Sequence, residues 1–346
     1  MKITREAKIY PNKTQEKNLI NLFEKSRLFY NSVLERKISH YKKTGKNLSR
    51  FNLQKEFKGK NKEIPASLRQ TLIYRVNNAF QFFFNKHTRF PRFKGKNRFR
   101  SIELRQYGGD YRIDGRKLSI WKIIGKMKMR GFCGGEPIGM GRIVKRVSGW
   151  YFQYPVEIKE KKAIKSFRKK VGIDLGIKSF VADSNKNIEK YPRFFSLSQE
   201  KLANLQKNKS KKVGRLYEKI SNQRKDWLHK LSRKYADKYD FIAVEDLNIK
   251  NMVRNKLLAK YISDASWGTF IQMLSYKMKI LGKKLVKVNP SFTSQKCLCG
   301  ANVTKSLSVR THICPECGLI EDRDIVSAKL ILKKAWDEPS KKLACQ

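Results

Sequence analysis

The sequence predicts an α/β domain preceded by a small all-β barrel and a helical lobe. Three observations lead to this fold class. Apolar residues recur at helical spacing over residues 10–41 and 65–87. Glycine and β-forming residues dominate residues 101–159. From residue 171 the pattern becomes strand, hairpin, helix, strand, helix, strand, an alternation typical of α/β domains.

The first elements are a short strand over residues 2–9 and two helical segments. Thr14, followed by Glu16, is the expected N-cap of the first helix. The apolar stripe of that helix comprises Leu19, Leu22, Phe23, Phe29, Tyr30, Val33 and Leu34. The second helix carries Leu68, Leu72, Val76 and Phe80. Both stripes are interpreted first as core and only second as nucleic-acid-binding faces.

The next segment mixes aromatic and basic residues. Phe90, Phe93 and Phe99 alternate with arginines and lysines, a composition that suits base stacking and phosphate contact. A basic loop held down by buried phenylalanines is an equal alternative. Residues 101–159 then predict short antiparallel strands, in the manner of a small barrel, and the charged run 159–170 predicts a boundary.

The second half predicts the α/β domain. Residues 171–191 form an expected hairpin, 199–239 a long basic helical region, and 240–249 a short apolar strand ending in acids. A helix over about 265–282 follows, which Gly282 can terminate, and "KLVKV" adds a further strand.

Charge indicates the class of partner. Lysine and arginine number 79 against 29 acidic residues, a formal net charge of +50 spread along most of the chain. Such a charge gives salt-dependent affinity for nucleic acid, because each neutralised phosphate releases counterions. A membrane surface is the rival polyanion, but no segment approaches the roughly 18 apolar residues of a span. We expect a nucleic-acid-binding protein of the prokaryotic cytosol and nucleoid, without membrane association.

Four of the six cysteines fall within one short window, which favours a metal site over disulfides. Cys297, Cys299, Cys314 and Cys317 resemble the two knuckles of a structural Zn²⁺ ribbon, although "CLC" is shorter than the usual Cys-x-x-Cys. His312 could replace a strained ligand, but we expect it to face solvent. Cys133 and Cys345 are interpreted as unpaired thiols.

Acidic residues border apolar segments at three places in this basic chain. Asp174 follows "VGI", Glu245 follows "FIAV", and Asp322 and Asp324 precede "IVSAKLIL". Grouped carboxylates are costly to bury unless a cation compensates them, and Mg²⁺ prefers carboxylate ligands. Two Mg²⁺ ions about 4 Å apart can activate water and stabilise the leaving oxygen of a phosphodiester. Any single acid could instead cap a helix or pair with lysine.

In this order, the motifs "VGIDLGIKSF", "AVEDLNIKNM", "PSFTSQKCLCG", "CPECG" and "DRDIVSAKLIL" resemble those of the TnpB family. "YPNKTQ", "RLFYN" and "FPRFKGK" resemble that family's N-terminal half. The resemblance implies an RNA-guided DNA endonuclease of a transposable element. It further implies that the partners are a guide RNA and a target double-stranded DNA with its displaced strand. The target would be cleaved next to a short adjacent motif. We expect the protein to be a monomer in complex with RNA.

The resemblance also implies a domain plan. It comprises a wedge β-barrel (residues 1–10 and 90–165), a helical recognition lobe (11–89), a RuvC nuclease domain of RNase H-like fold (171–290 and 318–336) and an inserted zinc ribbon (291–317). By motif, Asp174, Glu245 and Asp324 are the implied catalytic Mg²⁺ ligands, while Asp322 and Arg323 shape the approach. Val326 and Ser327 depart from the family pattern, which has Asn and Ala there.

Other interpretations stay open. A miniature type V CRISPR effector shares the nuclease and the ribbon. A nuclease-inactive RNA-guided repressor, or a plain zinc-ribbon nucleic-acid binder, would retain binding without cutting. A transposase of the same RNase H-like fold would join DNA ends. Retention of all three acids favours an active nuclease over the inactive alternatives.

Overall fold

The computed structural model describes residues 1–131, 134–252, 254, 259–290, 295–304 and 309–337. Cys133 and Cys345 lie outside these residues. The chain divides into two compact units, Met1–Ile158 (unit 1) and Lys159–Gln346 (unit 2). Among the helices described, none combines the length and the apolar character needed to cross a membrane.

A seven-stranded antiparallel sheet is the framework of unit 1. Its strands are β1 (Lys2–Tyr10), β2 (Ser101–Leu104), β3 (Tyr111–Asp114), β4 (Lys117–Ile120), β5 (Gly125–Arg130), β6 (Gly141–Arg146) and β7 (Gly149–Glu157). The order is β2-β6-β7-β1-β5-β4-β3, so the N-terminal strand lies at the centre. Among the described pairings, none joins β2 to β3, and closure into a barrel stays a prediction.

Helices are inserted between the first two strands of this sheet. They are α1 (Lys13–Thr44), α2 (Arg50–Glu56) and α3 (Ala66–Phe84), and the short α4 (Trp121–Ile124) joins β4 to β5. The predicted apolar stripe of α1 is confirmed, since all seven of its members are buried. These side chains share one core with the buried face of the sheet.

The prediction that Thr14 caps α1 is wrong. Asn12 is the N-cap: its side chain accepts a hydrogen bond from the backbone N–H of Gln15, whose side chain accepts one from the backbone N–H of Asn12. This reciprocal pair satisfies two N–H groups that helical bonding leaves unpaired, whereas a threonine hydroxyl would satisfy one. The helix therefore begins at Lys13.

The structure supports one of the two interpretations of the basic aromatic segment after α3, that of a loop held down by a buried phenylalanine. Phe99 is buried in the core, whereas Phe93 is 55% exposed. The backbone carbonyl of Lys94 accepts hydrogen bonds from Arg27 and Asn31, and the Lys94 N–H donates to the Asn31 side chain. The segment is thus held against α1 at Lys94 and still presents an exposed ring at Phe93.

Unit 2 contains a mixed five-stranded sheet. Its strands are β8 (Lys170–Asp174), β9 (Val181–Asp183), β10 (Ile188–Glu189), β11 (Phe241–Glu245) and β12 (Lys284–Val288), in the order β10-β9-β8-β11-β12. β8, β11 and β12 are parallel, and the hairpin strands β9 and β10 are antiparallel to their neighbours. The carboxyl ends of the three parallel strands therefore share one edge.

Helices cover this sheet. They are α5 (Phe194–Leu197), α6 (Gln199–Lys207), α7 (Val213–Lys238), α8 (Ile249–Met252), α9 (Ala259–Ala265), α10 (Trp267–Ile280) and α11 (Arg323–Asp337). The predicted helical region over 199–239 is confirmed, and it consists of two helices, α6 and α7, which are separated where Lys209 adopts a left-handed φ of 45°. Gly282 follows α10 with a φ of 68°, a conformation that suits the glycine at a helix end.

A separate two-stranded hairpin precedes α11. It consists of β13 (Thr311–Ile313) and β14 (Ile320–Asp322), paired antiparallel, with Thr311 opposite Asp322. β14 runs directly into α11, so the hairpin and the helix are continuous in the chain.

Candidate functional site

Two carboxylates lie at the ends of neighbouring parallel strands. Ile173 of β8 is paired with Val244 of β11, and Asp174 and Glu245 are the next residues along each strand. The three residues before Asp174 and the four before Glu245 are buried and apolar, which fixes the strands in the sheet and delivers both acids to one edge. Two of the three sequence-predicted metal ligands are thus neighbours.

Helix α11 reaches this edge because β8 contains a glycine. A Cβ at Gly172 would lie 2.0 Å from the carbonyl oxygen of Ala328 and 2.8 Å from the backbone nitrogen of Leu332. No side chain fits in that space, so only glycine allows the helix to pack this closely on the strand. Asp324 lies in the first turn of α11, one turn before Ala328.

The charges of Glu245 and Asp324 act on the carboxyl group of Asp174. Burial, reinforced by the negative charges of Glu245 and Asp324, raises the pKa of Asp174 to about 8. The backbone N–H of Leu175 and the guanidinium of Arg323 act in the opposite direction but do not cancel the effect. The structure therefore places Glu245 and Asp324 close enough to Asp174 for their negative charges to act on it.

Asp322 caps the start of α11, whereas Asp324 does not. The Asp322 carboxylate accepts hydrogen bonds from the backbone N–H groups of Asp324, at 2.8 Å, and Ile325, at 3.4 Å. This is the geometry of a helix N-cap, which satisfies N–H groups at the start of α11. Of the two aspartates in "DRD", Asp324 is the one whose charge acts on Asp174.

Arg310 is a site residue that sequence reasoning missed. Its guanidinium lies 3.3 Å from Oδ1 and 3.4 Å from Oδ2 of Asp324. Its carbonyl oxygen accepts a hydrogen bond of 2.7 Å from the N–H of Arg323, which fixes the backbone just before β13 beside the start of α11. The register of the β13–β14 hairpin sets this contact, and no motif in the sequence marks it.

The four predicted cysteine ligands form one cluster. Their Sγ atoms all lie within 4.8 Å of one another, with Cys297 and Cys317 at 3.6 Å and Cys299 and Cys314 at 3.7 Å. Thiolates around a tetrahedral Zn²⁺ at 2.3 Å are about 3.8 Å apart, so the cluster has the dimensions of a zinc site. These distances far exceed a disulfide bond.

Each knuckle of the cluster closes through a hydrogen bond from a glycine N–H to the carbonyl of its first cysteine, over turns of different length. The N–H of Gly300 donates to the carbonyl of Cys297, and the N–H of Gly318 donates to the carbonyl of Cys314, each at 3.0 Å. The two glycines have φ values of 102° and 71°, which side-chain-bearing residues rarely adopt. The shortened "CLC" knuckle therefore still directs both of its thiols to the cluster.

Two further sequence expectations concern His312 and the pair Val326 and Ser327. The prediction that His312 faces solvent is wrong, because it is fully buried in β13, while the cysteine cluster is complete without it. Val326 and Ser327, which depart from the family pattern, are buried residues of α11. An apolar Val326 is suited to that buried position.

Comparisons with known proteins match this arrangement along the chain. Residues 1–46, which form β1 and α1, match the OrfB/IS605 model described as "Helix-turn-helix domain". Residues 153–256, which include Asp174 and Glu245, match the OrfB/IS605 model described as "Probable transposase". Residues 267–331, with the four cysteines and Asp324, match the model "Cas12f1-like, TNB domain".

Curated relatives extend over most of the chain. A Streptomyces pristinaespiralis protein named "Putative RNA-guided DNA endonuclease" is 29% identical over 94% of this chain and 87% of its own length. Escherichia coli InsQ, with the same description, is 26% identical over 78% of this chain and 75% of its own length. The TnpB-like protein MJ0751 of Methanocaldococcus jannaschii is 34% identical over 41% of this chain and 55% of its own length.

Among solved structures, the Cas12f1–sgRNA–target DNA complex covers 96% of this chain and 99% of its own, with 16% identity and a TM-score of 0.39. Sequence similarity is the stronger finding, since the three models follow one another along the chain and the relatives cover both units. The chain is similar to TnpB-like proteins, and it matches their OrfB/IS605 and Cas12f1-like regions in order.

Proposed function

We propose that this protein is an RNA-guided DNA endonuclease that hydrolyses phosphodiester bonds with Mg²⁺. The observation that carries the proposal is the cluster of Asp174, Glu245 and Asp324, in which the pKa of Asp174 is raised to about 8 by burial and by the other two charges. The names of the two curated relatives that cover most of the chain describe the same activity.

The residues of the cluster fit a divalent metal site. Three carboxylates supply the oxygen ligands that Mg²⁺ prefers, and their mutual repulsion favours a cation between them. When bound, Mg²⁺ would activate water and stabilise the charge that develops on the leaving oxygen. Arg310 holds the Asp324 carboxylate at 3.3 Å and adds a positive charge beside the place where a DNA phosphate would lie.

The cysteine cluster fits a structural zinc ion. Cys297, Cys299, Cys314 and Cys317 would fill a tetrahedral coordination shell and leave no position for substrate. Zinc bound there would stabilise the ribbon that carries β13, and through β13 the position of Arg310. We therefore assign the zinc a supporting role and the carboxylates the chemistry.

The partners follow from charge and from family. A net charge of +50 requires a polyanion, and recognition through a guide RNA leaves the protein contacts largely independent of sequence. We propose a guide RNA, a target double-stranded DNA and its displaced strand as partners of a monomer working in the cytosol and nucleoid. The proposed domains are the wedge barrel (1–10 and 90–165), recognition lobe (11–89), RuvC nuclease (171–290 and 318–336) and zinc ribbon (291–317).

A cleavage assay tests the proposal. The protein is co-expressed with the DNA that flanks its gene, purified with its RNA, and given plasmids that pair the RNA-matched target with a randomised flank. We expect Mg²⁺-dependent cleavage of plasmids with one short flanking motif, and none with Asp174→Asn. Target binding without cleavage by the wild-type complex would overturn the nuclease in favour of a repressor.

Two other candidates have a specific observation each. The "Probable transposase" description favours DNA strand transfer, which would yield joined products in the same assay when element ends are supplied. The Cas12f1-like match over residues 267–331 favours a CRISPR effector, for which the copurified RNA would contain repeat-derived sequence. Sequencing that RNA separates the second candidate from a transposon-encoded guide.

A further inference from the structure

The hairpin of β13 and β14 has a polar inner face and an apolar outer face. His312 of β13 is fully buried and lies opposite Glu321 of β14, whose side chain is 10% exposed. The neighbouring pair, Ile313 opposite Ile320, is 58% and 68% exposed. Apolar residues normally take the covered face of an antiparallel pair, so burial of apolar surface does not explain the inner position of Glu321.

Two lysines from different elements contact the Glu321 carboxylate. The Lys329 Nζ of α11 lies 2.8 Å from Oε1 and 2.7 Å from Oε2, and the Lys186 Nζ lies 3.2 Å from Oε1. Lys186 belongs to the turn that joins β9 to β10 in the five-stranded sheet. Glu321 therefore connects the hairpin both to α11 and to the sheet on which α11 packs.

The charge of Glu321 is stabilised where it lies. Burial raises the pKa of its carboxyl, but the hydrogen bonds and positive charges of Lys329 and Lys186 outweigh burial, and the pKa is lowered from its ordinary value. Glu321 is therefore ionised at neutral pH. The desolvation of such a pair offsets much of its attraction, so its main effect is expected on geometry and not on stability.

Glu321 lies immediately before the junction of β14 and α11. Within this junction, the N–H of Arg323 donates to the carbonyl of Arg310 at 2.7 Å, and the Arg310 guanidinium lies 3.3 Å from Asp324. The contact from Glu321 to Lys329 joins the strand on one side of the junction to the helix on the other. A rotation of the hairpin about the junction would break this contact and move Arg310 away from Asp324.

The hairpin depends on such side-chain contacts for its orientation. In the described part of the chain, β13 and β14 pair with each other and with no other strand, and each has three residues. A two-stranded hairpin of this length is marginal in isolation. Among the ion pairs of the described residues, those of Glu321 are the ones made by a residue of either strand.

We propose that Glu321 is a positioning residue of the nuclease site. Through Lys329 and Lys186 it fixes the β13–β14 hairpin against α11 and so holds Arg310 on Asp324. The effect on cleavage rests on the proposed function, whereas the fixing of the hairpin rests on these contacts alone. The competing explanation is that Glu321 serves only the stability of unit 2.

The kinetic test uses the full-length protein with its copurified RNA and a guide-matched DNA. Glu321→Gln should lower the single-turnover cleavage rate about tenfold, while the Kd for the same DNA without Mg²⁺ stays within about twofold of wild type. Glu189→Gln is the matched control, because Glu189 of β10 also pairs with a helix lysine, Lys234 of α7, at 2.5 Å. The control should cleave like wild type. Equal rates in both variants, or a loss of Glu321→Gln in DNA binding alone, would overturn the proposal.

The coupling test asks whether Glu321 acts through Arg310. Glu321→Gln and Arg310→Gln are made singly and together, and their single-turnover rates are compared. If Glu321 acts through Arg310, the double variant should cleave within about twofold of the slower single variant. Losses that multiply would show that the two residues act independently, and they would overturn the proposal.

The rescue test changes the partner of Glu321. Lys329→Met should reproduce the loss of cleavage, whereas Lys329→Arg keeps a cation that can contact both carboxylate oxygens and should cleave within about threefold of wild type. Equal rates of the two variants would contradict the proposal. Melting temperatures should stay within about 4 °C of wild type. A larger fall in Glu321→Gln would assign the residue to stability and overturn its positioning role.

Hydrogen exchange tests the fixing of the hairpin without relying on cleavage. The peptide over residues 309–324 contains the N–H of Arg323 that Arg310 binds, and in Glu321→Gln it should exchange about threefold faster or more. Glu189→Gln should match wild type. Unchanged exchange in Glu321→Gln would overturn the inference even in an active nuclease. If wild type cleaves no DNA, the nuclease proposal fails, and exchange still decides whether Glu321 fixes the hairpin.

Discussion

The acidic cluster and the cysteine cluster lie in the same unit, yet they are built in opposite ways. The cysteines come from one short segment, and each knuckle closes through its own backbone hydrogen bonds. The carboxylates come from two strands and a helix that are far apart in sequence, and they meet only when the whole sheet has formed. The comparison teaches that a local site can stabilise its surroundings, whereas a long-range site depends on them.

Their charge environments also differ. The acidic cluster keeps two arginines at its border, Arg310 on Asp324 and Arg323 acting on Asp174. In the cysteine cluster, the backbone N–H of Cys317 is the main group that lowers the pKa of Cys314, to about 7. Arg310 connects the two regions, because it lies next to β13 and contacts Asp324 of the acidic cluster. The predictions below test how far the two sites are independent.

The largest effect is expected when the acidic cluster loses a ligand. Asp174→Asn should lower the cleavage rate about a thousandfold or more, equivalent to about 4 kcal/mol of transition-state stabilisation. Asp246→Asn is the control: Asp246 is 62% exposed and pairs with Lys287, so activity should stay within threefold. Cleavage rates on a guide-matched plasmid measure the effect of each variant. Equal losses of cleavage in the two variants would contradict the assignment of the acidic cluster as the catalytic site.

The next effect concerns the cysteine cluster. Cys314→Ser should abolish zinc binding, measured by metal analysis, and reduce cleavage by about 10- to 100-fold, the range typical of supports around a metal site. The loss should be smaller than for Asp174→Asn because the carboxylates remain. Arg310→Gln should reproduce the cleavage loss without losing zinc. If Cys314→Ser cleaves normally, the two sites are independent.

Without metal, the acidic cluster should make stability depend on pH. The folded pKa of Asp174 is about 8, above its ordinary value of 3.8, so over this interval the folded state keeps a proton that the unfolded state has released. The free energy of unfolding in EDTA should therefore fall as pH rises from about 4 to about 8, by up to about 1.4 kcal/mol per pH unit. Urea titrations should show this fall in the free energy of unfolding for wild type and a smaller fall for Asp174→Asn, which lacks the titrating carboxyl group. The same pH dependence in both proteins would refute the prediction.

The smallest effect separates the two aspartates of "DRD". Asp322→Ala removes the N-cap of α11 and should cost about 1 kcal/mol of stability, with cleavage within threefold of wild type. Asp324→Asn should reverse this balance, with little change in stability and a loss of cleavage close to that of Asp174→Asn. Thermal melts and plasmid cleavage give both values. A catalytic collapse in Asp322→Ala would mean that the capping aspartate also serves the metal.

Sequence patterns anticipate the parts of this structure that depend on local chemistry. Apolar stripes predict α1 and its buried face, clustered cysteines predict the ribbon ligands, and acids at the ends of apolar runs point to Asp174, Glu245 and Asp324. Where two local signals compete, they mislead, as with Thr14 against Asn12 at the start of α1.

Contacts set by long-range packing are not visible in the sequence. Arg310 reaches Asp324 only through the register of a short hairpin, and one arginine among so many basic residues carries no signal of its own. Gly172 is similar: its role depends on the backbone of a helix that lies far downstream. Such residues emerge only when the elements are placed in space.

The order of the elements has a consequence for the protein during its synthesis. A growing chain on the ribosome exposes β8 and β11 well before α11, so it holds Asp174 and Glu245 while the helix that supplies Asp324 is still untranslated. The surface of β8 at Gly172 is not covered until that helix has been made. If these acids are the proposed metal ligands, a nascent chain without α11 holds only two of the three, and cleavage is expected only after translation has passed Asp324.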